Sequence, residues 1–84
     1  IEVEVNPNPF EGSASVSYNL SNASSVEISV QNLLGEEIMT LENSFLLSGQ
    51  HETNLDLSAQ PAGVYIIKLK AGNNIITKKL INLK

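Results

Sequence analysis

Apolar and polar residues alternate one for one along most of this chain, a period that suits a strand with one buried face and does not suit a helix. Ile1, Val3 and Val5 alternate with Glu2 and Glu4, and the pattern ends at Asn6-Pro7-Asn8-Pro9, where two prolines withdraw ladder donors. Ala14, Val16, Tyr18 and Leu20 alternate with Ser15, Ser17 and Asn19 up to a Ser21-Asn22-Ala23-Ser24 turn; Val26, Ile28 and Val30 alternate with Glu27 and Ser29, and Gly35 then punctuates the chain. After Ser48-Gly49, His51, Thr53, Leu55 and Leu57 share one face and Glu52, Asn54 and Asp56 the other. Pro61-Ala62-Gly63 then turns into Val64–Lys70, apolar on both faces as a central strand should be. Gly72-Asn73-Asn74 makes a last hairpin turn into a final strand, Ile75–Lys84.

Leu33–Leu47 is the exception, because Leu34, Ile38, Leu41 and Phe45 also fit one face of a helix. Alternation on both sides, and a glycine where a hairpin turn belongs, favour a strand there. Seven strands with turn signals at roughly 8–12-residue spacing predict an all-β fold, an immunoglobulin-like antiparallel β-sandwich.

The whole chain, residues 1–84 and 9.1 kDa, suits one domain. A chain of this size buries only about 60% of the surface it exposes when unfolded, and so thin a core argues against a deep, water-excluding active site. Hydrophobic residues at 42% and charged residues at 17% argue against disorder, and the longest apolar run falls far short of a membrane span. With no cysteine, disulfides and thiolate metal sites are excluded and stability must come from packing. The opening Ile-Glu-Val, without a signal peptide, reads as a terminal module of a longer precursor.

Charge is segregated. All nine acids precede Lys68, and all five bases, Lys68, Lys70, Lys78, Lys79 and Lys84, fall in the last 17 residues, so residues 1–67 sum to −9 and residues 68–84 to +5. Without arginine or distributed cations the chain is poorly suited to nucleic acid, whereas its basic end can steer an acidic partner.

Candidate chemistry is sparse. His51 has no second histidine or cysteine to join it as a metal ligand. Glu2 and Glu4, about 7 Å apart on one strand face, have the spacing of an inverting glycosidase pair but read as the solvent side of an amphipathic strand. Glu36 and Glu37 are adjacent and point to opposite faces. The sequons Asn19-Leu20-Ser21 and Asn22-Ala23-Ser24 lie at a Ser/Asn-rich strand end, and a single aspartate leaves no oxygen-rich calcium loop. No cofactor and no small-molecule substrate is expected.

Five motifs occur in order: Asn6-Pro7-Asn8-Pro9-Phe10, Val26-Glu27-Ile28-Ser29-Val30-Gln31-Asn32-Leu33-Leu34-Gly35, Gly49-Gln50-His51, Leu57-Ser58-Ala59-Gln60-Pro61-Ala62-Gly63-Val64-Tyr65 and Lys78-Lys79-Leu80-Ile81. Together, over essentially the whole chain, they resemble the type A C-terminal sorting domain of the type IX secretion system of Bacteroidota. Gln31, where the family often has an aromatic residue, and Glu36, where a neutral or basic residue is frequent, depart from the pattern. Each motif also has a local account. Pro7 and Pro9 are expected to force an extended crossover that lets Phe10 drop into the core. Gly35 permits a positive-φ turn, and Gly63 a tight passage from the Pro61 turn into the central strand. Tyr65 offers a ring to the core and a hydroxyl to a backbone group.

The resemblance implies a non-catalytic secretion signal, covalently part of a larger cargo that crosses the inner membrane separately and is carried across the outer membrane. The implied partners are an outer-membrane translocon, its shuttle protein and a sortase-like cysteine protease that commonly removes the domain; the implied destination is the cell surface or medium. Lys78, Lys79, Leu80, Ile81 and Lys84 are the candidate recognition residues, on a final strand expected to be an exposed edge open to strand addition. A carbohydrate-binding or adhesive sandwich is the rival reading. It needs exposed aromatics, and the two Tyr and two Phe all fall at expected core or turn positions.

Overall fold

The computed structural model describes residues 2–84 and contains seven antiparallel strands: β1 (Glu2–Asn6), β2 (Ser13–Leu20), β3 (Ser24–Gln31), β4 (Glu37–Leu46), β5 (Gly49–Asp56), β6 (Gly63–Ala71) and β7 (Asn74–Asn82). Ile1, expected in the first strand, lies outside the described residues. The strands form two sheets, ordered β1-β2-β5 and β4-β3-β6-β7, so the fold is the expected immunoglobulin-like β-sandwich. The fourth strand stays beside β3 in the larger sheet instead of joining the smaller one as in constant-type domains.

Alternation sets the core. Val16, Tyr18 and Leu20 of β2 and Leu55 of β5, with Leu57 just beyond it, face Val26, Ile28 and Val30 of β3 and Tyr65, Ile67 and Leu69 of β6, all buried. Between the faces, Tyr18 stacks on His51 with ring centroids 5.5 Å apart. Their cross-strand pairing explains why the lone histidine is half-buried on a strand, its Nε2 2.7 Å from the Leu47 carbonyl. Glu2 and Glu4 lie on the solvent side of β1.

The ambiguous stretch is a strand, and its helix-like spacing has a definite origin. Pairing with β3 skips two residues: Ile28 opposes Glu42 while Ser29 opposes Thr40, and Val30 opposes Met39 while Gln31 opposes Glu37. Leu41 and Ile38 are thus extra residues that break the period of two, and both still pack against the core. Phe45 corrects an expectation. It is 65% exposed, because it opposes Ser25 on the outer side of the sheet and not a core-facing residue of β3.

Both free edges of the larger sheet carry a charge on the inward side. Glu42 of β4 opposes the buried Ile28, and Lys78 of β7 opposes the buried Ile67. A charge in that position makes close apposition of a second sheet unfavourable.

Candidate functional site at one end of the sandwich

Strand directions bring the motifs together. The end of β3 (Gln31) pairs with Ile66 near the start of β6, and Gly63 at that start pairs with Asn82 at the end of β7. In the smaller sheet, Asn6 at the end of β1 pairs with Ser15 near the start of β2, and Ser13 pairs with Asp56 at the end of β5. The Pro7–Gly12 loop, the Asn32–Glu36 hairpin tip, the Leu57–Ala62 loop and the final residues therefore all emerge at one end. Four of the five motifs meet there; Gly49-Gln50-His51 and Glu2 lie at the other end.

The Pro7–Phe10 segment crosses from β1 of the smaller sheet to β7 of the larger one, and Phe10 drops into the core there as expected. The chain then returns to β2, and on the way the segment seals part of the free edge of β7. The peptide bonds preceding Pro7 and Pro9 are cis. Phe10 is 1% exposed; its N–H donates to the Ile81 carbonyl at 3.0 Å, and its own carbonyl accepts from the Leu83 N–H at 2.7 Å, forming a parallel bridge opposite Asn82. One step earlier, the Asn8 carboxamide acts as a short piece of strand: Nδ2 donates to the Lys79 carbonyl at 3.0 Å, and Oδ1 accepts from the Ile81 N–H at 3.2 Å. Burial of the Phe10 ring and these four bonds hold the segment over the edge.

Consequently the last strand is an edge, as expected, but Lys79–Leu83 is already paired along it. The stretch left open for strand addition is the earlier one, around Ile75–Thr77. The candidate recognition residues also separate by direction. Lys79 opposes Ile66 and stands on the outer face, where Ile81 opposes Val64 and is half-buried. Lys78 points to the inward side, beside Ile76 and near Val3 of β1, in a shallow depression open to solvent. Leu80 is 0% exposed between the sheets, opposite Tyr65, so its side chain is core and not a displayed contact. Adjacent strand residues cannot share a face, so Lys78 and Lys79 are not one patch. Lys84 is exposed beyond the strand.

Beneath the clasp sits a residue to which no sequence motif points. Asn82 is 1% exposed, and its Oδ1 accepts from the Gly12 N–H at 3.0 Å and the Lys84 N–H at 3.2 Å, while Nδ2 donates to the Leu57 carbonyl at 3.2 Å. The Leu57 N–H in turn donates to the Gly12 carbonyl at 2.6 Å. One carboxamide thus joins the first loop, the fifth-strand loop and the chain's last residues. The available signal was its phase: Asn82 occupies the inward position two residues after Leu80.

The other motif residues brace this end. The Tyr65 hydroxyl donates to the Pro61 carbonyl at 2.6 Å, tying the loop to β6. Gly63 opens β6 at φ +150°, with nothing within 4 Å of a Cβ, so backbone conformation and not space asks for glycine there. Asp56 closes the preceding strand by accepting from the Ser58 hydroxyl at 2.6 Å and the Ser58 N–H at 2.9 Å, bonds that hold its carboxyl below the ordinary aspartate value. At the hairpin, Gly35 has φ +86°. Asn32 Oδ1 accepts from the Leu34 and Glu36 N–H groups at 2.9 and 3.0 Å, and its Nδ2 donates to Glu36 at 2.8 Å, so the unusual Glu36 strengthens the turn.

Among the described residues, no group of three or more His, Cys, Asp or Glu side chains is placed to hold a metal ion. Of the four aromatics only Phe45 is exposed, and a single ring is short of a sugar-stacking platform. No curated protein matches the chain. Residues 4–83, which include the clasped loop and the strand it covers, match the family described as the secretion system C-terminal sorting domain. The chain belongs to that family, the C-terminal signals that address proteins to the type IX secretion system for export across the outer membrane.

Proposed function

We propose that the export machinery reads the motif-bearing end of the sandwich, with Lys79, Ile81 and Lys84 as its accessible contacts. Leu80, Asn82, Phe10 and Tyr65 act from inside by holding that end in shape. The observation that carries the reading is the convergence of four motif segments at the end opposite Glu2. A cargo preceding Glu2 joins the far end, about 17 Å away along a five-residue strand, and leaves the motif end uncovered. Lys78, on the inward side of the edge, serves solubility more than recognition. In this reading the domain performs no chemistry of its own. The translocon and its shuttle protein bind it, and a sortase-like cysteine protease cuts on the cargo side of β1.

The test is export of a fluorescent protein carrying an inner-membrane signal and followed by residues 1–84, in a host with this route. Lys79→Gln with Lys84→Gln should lower extracellular fluorescence severalfold, and Lys70→Gln, at the far hairpin opposite Ile75, should leave it unchanged. Equal export of both proteins overturns the assignment of these lysines; no export with the intact domain overturns the domain's role. Deleting residues 80–84 is a poor substitute, since it removes buried Leu80 and Asn82 and unfolds what it is meant to probe.

A further inference from the structure

At the same end, the β3–β4 hairpin presents two large aliphatic side chains to solvent. Leu33 is 68% and Leu34 85% exposed, and neither touches the apolar core. Folding therefore gives no reason for them, and a turn of this kind is ordinarily polar. The tip is held rigid before anything binds it. Besides the three Asn32 side-chain bonds, the Gly35 N–H donates to the Asn32 carbonyl and the Asn32 N–H to the Glu36 carbonyl, both at 3.0 Å. A preformed pair of anchors loses little freedom when it is buried in a partner.

Charge selects the partner. The tip carries Glu36 and Glu37, both exposed, and all five lysines lie on β6, β7 or beyond. Such a tip is repelled by an anionic lipid surface and attracted to an apolar pocket rimmed by lysine or arginine. We infer that Leu33 and Leu34 are the apolar anchors of the sorting signal, inserting into a basic-rimmed pocket of a protein component of the export machinery. The inference rests on the recognition role proposed above and adds the element that docks. β7 lies two strands from β3, about 10 Å across the sheet, so one partner spans both the acidic tip and the basic strand.

Two measurements test it. In the export assay, Leu33→Ser with Leu34→Ser should cut secretion tenfold or more while the purified domain melts as the parent does; Leu33→Met with Leu34→Met should retain secretion. Because the chain has no cysteine, Leu34→Cys accepts a single environment-sensitive dye. Its emission should shift blue with detergent-solubilised outer membranes from the exporting host, not with those from a translocon-deficient strain, and added salt or Glu37→Lys should weaken the shift. Secretion of the serine variant at the parent level overturns the inference and leaves the sorting role intact. A blue shift with outer-membrane lipid vesicles alone, or on concentrating the labelled protein alone, also overturns it, assigning the tip to lipid or to a second copy. Failure of the parent domain to export any cargo strikes the sorting role itself.

Discussion

Asn8 and Ile81 stand 73 positions apart, yet the Asn8 side-chain oxygen accepts the Ile81 amide proton at 3.2 Å. A side chain from the first loop thereby does for the last strand what a neighbouring strand would do, and the two ends of the family signature become one structure.

Asn8→Ala should cost about 1 kcal/mol, the usual net worth of such bonds at an exposed site. The sharper readout is local. Hydrogen exchange at the Ile81 amide should accelerate strongly while core amides such as Ile67 follow only the global change. Unchanged protection at Ile81 would show that Phe10 alone keeps the edge closed.

Asn82→Ala should be far more damaging. It removes three bonds and leaves the Gly12 N–H facing a buried gap, while the Leu57 carbonyl keeps only its bond from the Gln60 N–H, a loss of about 3 kcal/mol. For a domain of this length, where total stability is about 4–12 kcal/mol, that is a large fraction. Denaturant unfolding measures it, and Asn82→Asp should be no rescue, because a carboxylate cannot donate to the Leu57 carbonyl.

Lys78→Val should leave melting unchanged or raise it, since the side chain joins Ile76 and Leu80 on the inward side of β7. The cost should appear as association. Light scattering at rising concentration should detect oligomers absent from the parent, as the open Ile75–Thr77 edge loses its charged guard.

The alkaline limit should involve Tyr18. Burial, reinforced by the negative charge of Glu42, pushes its phenol above the ordinary tyrosine value. A raised folded pKa means stability fully present below the unfolded value and lost as pH rises through the folded one, because the ionised phenolate is worse tolerated in the core than in the unfolded chain. Tyr18→Phe should therefore flatten the fall in stability above about pH 10, and at pH 7 the two proteins should differ little in pH dependence.

Much of this protein was legible in the one-dimensional pattern. Alternation in β1, β2, β3 and β5 places each apolar side chain inward because successive strand residues face opposite ways. The turns at Gly35, Pro61–Gly63 and Gly72–Asn73 arise from what proline and glycine do to backbone angles. β4 was harder, because the extra residues Ile38 and Leu41 counterfeit a helical period; only pairing against β3 shows them to be bulges. Phe45 was misplaced for the same reason.

The order of apolar and polar residues thus determined the strands, their buried faces except in β4, and the family signature, since these depend on neighbours one or two positions away. Tertiary structure alone decided that Pro7–Phe10 covers Lys79–Leu83, that the Asn82 carboxamide meets the Gly12 and Leu57 backbones, and that Leu33 and Leu34 stand at the same end as the close of β7. Each of these depends on partners some 25 to 75 residues distant in the chain, brought together only when two sheets close on one core, and no local period encodes them.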